Sequence, residues 1–273
     1  MRKTLAAIGA TLMCLVTPAT SQALVNGSEV QDGDSNAAAV VQISACTGAV
    51  VAPQWVLTAR HCVEVQNLRR SVYTGIDRAQ RKDPSLKYIS DYALLAPTGD
   101  VALAHVTTPL NVANIPAIRR RKADFGTEGT VYGWGNGTGL KLASAQVDIG
   151  KYAWGLGGPR EQEGSFFGYH RSGTRNGRGD SGGPLFVDGE IAGVTSASYL
   201  RGNGAVSFAS LHGLYEWIEN TIGEDSVWNP PLYPQPREDG AQEPRQEAGG
   251  DNRLQEPQVS RPAYSGGLGS LSS

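Results

Sequence analysis

NGRGDSGGPLF, residues 176–186, sets Asp180 and Ser181 among Gly177, Gly179, Gly182 and Gly183. Three readings compete for it. Arg178-Gly179-Asp180 is an RGD tripeptide, a form that some adhesion receptors bind. Gly179-x-Ser181-x-Gly183 fits the G-x-S-x-G nucleophile elbow. The third reading is a nucleophilic serine held in a tight backbone turn. The rest of the sequence has to choose between them.

The chain has 273 residues, room for one large or two small domains. Hydrophobic residues make up 40% and charged residues 18%, a balance that fits a globular protein better than a disordered one. The 35 glycines point to many turns and short strands. A net charge of −2 gives no basis for a nucleic-acid partner or an anionic membrane.

The first residues have the form of a secretory signal. Arg2 and Lys3 carry positive charge, and the apolar stretch from Leu5 to Val16 is too short to span a bilayer. The competing reading is a buried N-terminal helix. Ser21-Gln22-Ala23 is a small-x-small cleavage site that would make Leu24 the first mature residue, and Thr17-Pro18-Ala19 is an earlier alternative. Cys14 would leave with the signal, and Thr11-Leu12-Met13 before it does not have the form of a lipoprotein box. Cys46 and Cys62 remain. In an exported protein an isolated pair reads as one disulfide, and a structural metal site would need more ligands. No metal, cofactor or membrane anchor is expected.

Composition changes near Gly223. Residues 224–273 hold seven of the fifteen prolines, 8 acidic and 4 basic residues, and no hydrophobic periodicity. Such a segment cannot bury enough apolar surface to offset its ordering entropy and reads as a disordered tail. Within 24–223 the pattern is mostly β. "AVVQIS", "TGAVVAPQWVLTA", "DVALAHV", "GTVYGWG", "SAQVDIG" and "EIAGVTSAS" are short β-branched or aromatic runs parted by Gly, Pro, Asn and Asp. "LHGLYEWIENTIG" differs. It spaces Leu211, Leu214, Tyr215, Ile218 and Ile222 as on a helix and closes on Gly223.

An α/β-hydrolase elbow requires helices alternating with strands, then an acid and a histidine after the serine. Asp188 and His212 could meet the order, but no amphipathic 10–15-residue segments lie between the strands before Ser181. "VLTARHCVE" puts His61 beside Cys62, where a bridge to Cys46 would pin its loop. His105 and His170 lack such a setting. "TGDVALAHV" puts Asp100 at the mouth of an apolar strand, where a partly buried carboxylate wants a charged or N–H partner. Read alone, Asp100 fits a turn residue before a strand better.

The order His61, Asp100, Ser181 is that of the chymotrypsin class of triads. "TARHC", "DVAL" and "GDSGGP" resemble the three catalytic signatures of the trypsin/chymotrypsin family of serine proteases. "LVNG" at 24–27 resembles the family's mature N-terminus, and "YGWG" at 132–135 and the helix with Trp217 also fit. The resemblance covers roughly 24–223. It implies an all-β fold of two six-stranded antiparallel barrels with a C-terminal α-helix and the catalytic site between the barrels.

The resemblance also assigns roles. His61 would act as general base, Asp100 would orient it, and Ser181 would attack the substrate carbonyl. The N–H groups of Gly179 and Ser181 would face the oxyanion. Asp180 would pair with the α-amine of Leu24, a buried role that excludes an exposed RGD ligand. Ser196 matches the serine that holds the catalytic aspartate, and substrate backbone would pair along 196–198, with Ser198 in contact. Arg175 falls at the base of the primary pocket. Trypsin-like enzymes carry Asp there, so cleavage after Lys or Arg is disfavoured and an acidic side chain is favoured. A pocket cystine is absent, with Gly177 at one cysteine's place, so Arg175 could equally turn to solvent. The expected protein is a secreted or periplasmic monomeric endopeptidase acting on proteins or peptides. Its rivals are an inactive protease-shaped binding protein and an esterase on the same scaffold.

Overall fold

The computed structural model describes residues 24–135, 140–152, 164–198 and 204–223. The signal and tail expectations, at 1–23 and 224–273, lie outside the described residues. The chain divides into two units, Met1–Trp228 and Asn229–Ser273, and everything described belongs to the first.

After a short strand β1 (Ser28–Glu29), six strands form a closed antiparallel barrel. They are β2 (Val40–Ile43), β3 (Cys46–Ala52), β4 (Trp55–Thr58), β5 (Arg70–Tyr73), β6 (Lys87–Leu95) and β7 (Ala102–Val106), in the order β2-β3-β4-β7-β6-β5. The second barrel holds β8 (Glu128–Gly133), β9 (Ala143–Tyr152), β10 (Ser165–His170), β11 (Pro184–Val187), β12 (Glu190–Ser198) and β13 (Ala205–Ser210). Its order is β9-β10-β13-β12-β11-β8. Pairing of β8 with β9 closes it, and β1 is added beside β9. The expected architecture of two six-stranded barrels and a C-terminal helix is the one observed.

Side-chain alternation explains why several strands read as unbroken apolar runs. In β4, Val56 points into the first barrel with Val41, Ile43, Val50 and Val72. Its neighbours Trp55 and Leu57 point the other way, into a cluster that includes Tyr132, Trp134, Phe186 and Val194 of the second barrel. β7 repeats the pattern, with Ala102 and Ala104 inside and Leu103 between the barrels. Strands buried on both faces show no polar alternation. Leu24 is fully buried with Val131, Val147, Phe166, Leu185 and Phe208 in the second barrel.

"TGAVVAPQWVLTA" is two strands, because Pro53 and Gln54 turn β3 back into β4. β5, β6, β10, β11 and β13 were not marked by the sequence pattern. The helix signal also splits. Residues His212–Leu214 form a 3₁₀ turn, and α1 (Tyr215–Gly223) follows. A 3₁₀ first turn is common at helix ends. Leu211, Leu214 and Ile218 are the buried stripe, lying in the cluster between the barrels.

Candidate active site

Four loops and strand ends from both barrels meet here. At the end of β4, Thr58 donates to the Thr47 carbonyl at 2.8 Å, and Ala59 continues extended before a 3₁₀ turn at Arg60–Cys62. That turn carries His61. The disulfide joins Cys46, the first residue of β3, to Cys62, and ties the turn to the neighbouring strand. The expected Cys46–Cys62 bridge is therefore present. Cys46, His61 and Cys62 offer atoms within 4.8 Å of one another, but a cystine supplies no thiolate to a metal.

Asp100 sits just before β7 and is 4% exposed. Its Oδ2 lies 2.8 Å from His61 Nδ1, and its Oδ1 accepts the His61 backbone N–H at 3.0 Å. Ser196 on β12 donates its hydroxyl to the same Oδ2 at 2.6 Å. Burial works against the charged form of Asp100. The hydrogen bonds from the His61 ring, the Ser196 hydroxyl and the His61 N–H outweigh it and hold the carboxyl below its ordinary value. An ionised carboxylate only accepts, so Nδ1 carries the proton and Nε2 is the basic nitrogen. The bland reading of Asp100 as a simple turn residue does not describe a buried carboxylate with three donors.

Ser181 lies in the turn that leads into β11 of the second barrel. It is half-buried, two residues after Gly179 and three before β11. Its carbonyl accepts the Thr47 N–H at 2.9 Å and lies 3.8 Å from Cys62 Sγ, so its backbone rests against the residue that follows His61. Gly182 fills the same junction. Its N–H donates to the Thr195 carbonyl at 2.8 Å, one residue before Ser196. Its φ is +82°, and a Cβ there would lie 2.2 Å from both Thr47 O and Thr58 Oγ1. Only glycine brings the serine turn this near to the histidine's strand.

Gly179 has a φ of +95°. Its carbonyl accepts from Thr47 Oγ1 at 2.8 Å, and the same hydroxyl accepts from the Trp134 N–H at 2.9 Å. Thr47 thus fixes the turn through its N–H and its hydroxyl together. Among the described residues the N–H groups of Gly179 and Ser181 meet no acceptor. Nothing in "CTGAVV" marks Thr47 as more than a strand residue, and sequence reading missed it.

Asp180, fully buried, is bound from two sides. Gly135 N–H donates to Oδ1 and Gly177 N–H to Oδ2, each at 2.7 Å. The carbonyl of that same Trp134–Gly135 peptide accepts from an Arg78 Nη2. Arg78 therefore polarises the peptide that donates to Asp180. Burial dominates nonetheless, and raises the Asp180 carboxyl to about 7 against the two N–H bonds and the Arg78 charge. An Asp so placed is no receptor ligand, and the RGD reading ends there. Leu24 is buried nearby in sequence to Val25, which bridges to Arg175 by two backbone hydrogen bonds of 3.0 and 3.1 Å.

Arg175 itself is exposed. Its neighbour Asn176 is the buried residue, 3% exposed and hydrogen-bonded to His170 Nε2. A solvated guanidinium is no buried counter-charge, so this placement gives the acidic-pocket expectation no support. The β11–β12 ladder ends at Pro184↔Val194, while Ala197 and Ser198 pair with Ser207 and Val206 of β13. The other edge of 196–198 takes no strand among the described residues. Ser198 is half-buried on that stretch.

Comparison with known proteins identifies the family. The family model described as Trypsin matches residues 24–218, and the chain belongs to the trypsin family of serine peptidases. A relative from Corynebacterium glutamicum, named an uncharacterized peptidase, is 27% identical over 85% of this chain and 90% of its own length. Trypsin-2 of Salmo salar is 30% identical over 65% of this chain and 84% of its own. In fold the chain is similar to neuropsin, a serine protease expressed in the limbic system of mouse brain. The match has a TM-score of 0.59 and 21% identity, and covers 72% of this chain and 99% of that one.

Proposed function

We propose that this protein is an exported serine endopeptidase that hydrolyses peptide bonds through Ser181, His61 and Asp100. The observation that carries the reading is the buried, ionised Asp100 bonded at 2.8 Å to His61 Nδ1, with the Ser181 turn fastened to the residues flanking that histidine.

The Ser181 hydroxyl attacks the carbonyl carbon while His61 Nε2 takes its proton. The resulting oxyanion accepts from the N–H groups of Gly179 and Ser181, which are otherwise without acceptors among the described residues. The imidazolium returns the proton to the leaving amine, and the C–N bond breaks. Water then repeats the sequence on the acyl-enzyme and frees the acid and the serine. Asp100 keeps the ring oriented and stabilises the imidazolium throughout. The acyl-side backbone of the substrate pairs along the open edge of 196–198.

Cleavage after Ala23 frees the α-amine of Leu24, which pairs with Asp180. The support is a buried carboxylate raised to about 7, a group that lacks sufficient positive charge in the uncleaved chain. The disulfide suits an oxidising compartment outside the cytoplasm. Among the described residues no helix is long and apolar enough to cross a membrane.

A quenched peptide library and casein, incubated with protein beginning at Leu24, test the proposal. Internal cleavage is expected from the wild type and none from Ser181→Ala. A folded wild type that cuts neither would reject the enzyme in favour of a binding protein, and turnover of esters alone would identify an esterase.

A further inference from the structure

A cavity of about 510 Å³ opens beside the serine turn. Gln42, Ser44 and Ala45 of the first barrel line one side, and Arg78, Trp134, Arg178 and Gly179 line the rest. Of the seven lining residues among the described ones, two are arginines and none is an acid. Arg178 is exposed, and among the described residues it makes no hydrogen bond or ion pair. Behind the lining lies a third guanidinium. Arg81 stands 5.0 Å from the centre of the Trp134 ring and 4.8 Å from that of Tyr73, and it donates to Gln42 Oε1. Burial and the neighbouring charge of Arg78 bring Arg81 down to about 10, which marks a crowded, partly desolvated cluster of cations. Asp180, an acid whose charge reaches Arg78, is itself buried beneath the turn and bonded to Gly135 and Gly177.

The position of the cavity fixes what could enter it. The Ser181–Gly182 backbone is held between Thr47, at the start of β3, and Thr195, on β12. The acyl side of a substrate runs along β12. The cavity lies across the turn from that strand, against the β2–β3 corner, and it includes Gly179 itself. This is where the chain beyond the scissile bond must leave.

We propose that this cavity binds a carboxylate on the leaving-group side of the substrate, within the first two residues after the scissile bond, with Arg178 as the main contact and Arg78 behind it. The assignment rests on the peptidase reading above for its sense of direction. Two sources supply the same chemistry: a Glu or Asp side chain, or the free C-terminus of a short leaving fragment. Guanidinium recognises either through paired N–H donors.

Four matched peptides share one acyl side. Two carry Glu or Gln at the second residue after the scissile bond, and two end at that residue as a free acid or an amide. The wild type should cleave the Glu or the free-acid peptide with kcat/KM roughly five- to tenfold above its neutral match, and the gap should narrow as salt is raised. Arg178→Gln should close it and leave the neutral peptides within about twofold of wild type. A Glu advantage alone identifies a side-chain site, and a free-acid advantage alone a C-terminal one. Titration calorimetry of the same peptides on Ser181→Ala protein reads the preference without turnover, so it stands even if the peptidase reading fails. Equal affinities or equal kcat/KM within both matched pairs would overturn the proposal.

Discussion

Adding one residue before the mature N-terminus is predicted to couple the protein's stability to pH through Asp180. If Ala23 is retained, Leu24 has no α-amine, and among the described residues Asp180 keeps the Gly135 and Gly177 N–H groups and the more distant Arg78 charge. Its carboxyl then titrates at about 7 rather than at the ordinary 3.8. Below 3.8 both folded and unfolded chains hold the proton, and the group is neutral to stability. Between 3.8 and 7 the unfolded chain releases a proton that the folded chain keeps, so stability falls as pH rises. Moving the carboxyl from 3.8 to about 7 corresponds to about 4 kcal/mol lost across that window. In the form beginning at Leu24 the ammonium offsets burial, and the decline is expected to be small until the α-amine itself titrates above about pH 8. Urea unfolding of both forms from pH 4 to 7.5 measures the difference directly. The two curves should diverge by a few kcal/mol at neutral pH, and Asp180→Asn should flatten the extended form's curve. Parallel curves for the two N-termini would refute the assignment of Leu24 and Asp180 as a pair.

Thr47→Val keeps the shape of a fully buried side chain but removes the hydroxyl that joins Trp134 to Gly179. It leaves two backbone groups short of a partner, at about 1–3 kcal/mol each, and should slow acylation of Ser181 more than it raises KM, read by pre-steady-state kinetics. Asp100→Asn should lower kcat by on the order of 10³–10⁴ with little change in fold, because an amide holds the wrong imidazole tautomer. Asp100 also contributes stability that is present above pH 3.8 and lost as pH falls through its lower folded value, so acid unfolding of Asp100→Asn should be shallower at that end. Gly182→Ala forces a methyl to 2.2 Å from Thr47 O and Thr58 Oγ1 at a φ of +82°, and should cut the yield of soluble folded protein sharply, read by gel filtration.

The residues proposed to carry chemistry were legible because their neighbours in sequence constrain them. His61 next to Cys62, Asp100 ahead of "VALAHV", and Ser181 among glycines each reveal local geometry. The barrels were legible where strands are apolar on both faces, as in β3, β4 and β12. β6 hid because Lys87, Ser90 and Asp91 interrupt its pattern, and β10 because Gly168 does. Thr47 and Arg78 hid for a different reason. Thr47 reaches Gly179 across 132 residues, and Arg78 reaches Trp134 across 56. Such partners exist only once two barrels have closed. Arg175 shows the same limit from the other side. The family resemblance assigned it to a pocket floor, while the backbone bridge to Val25 accompanies an exposed side chain and leaves Asn176 buried beside it.

The central claim is that the hydroxyl at 181 is made nucleophilic by the imidazole at 61. Labelling of the protein beginning at Leu24 with a fluorophosphonate, followed by mass-spectrometric mapping of the adduct, tests it most directly. One adduct on Ser181, formed at a rate that His61→Ala lowers by about three orders of magnitude or more, is the predicted result. A folded protein that takes no label at that serine, or takes it equally fast without the histidine, would contradict it.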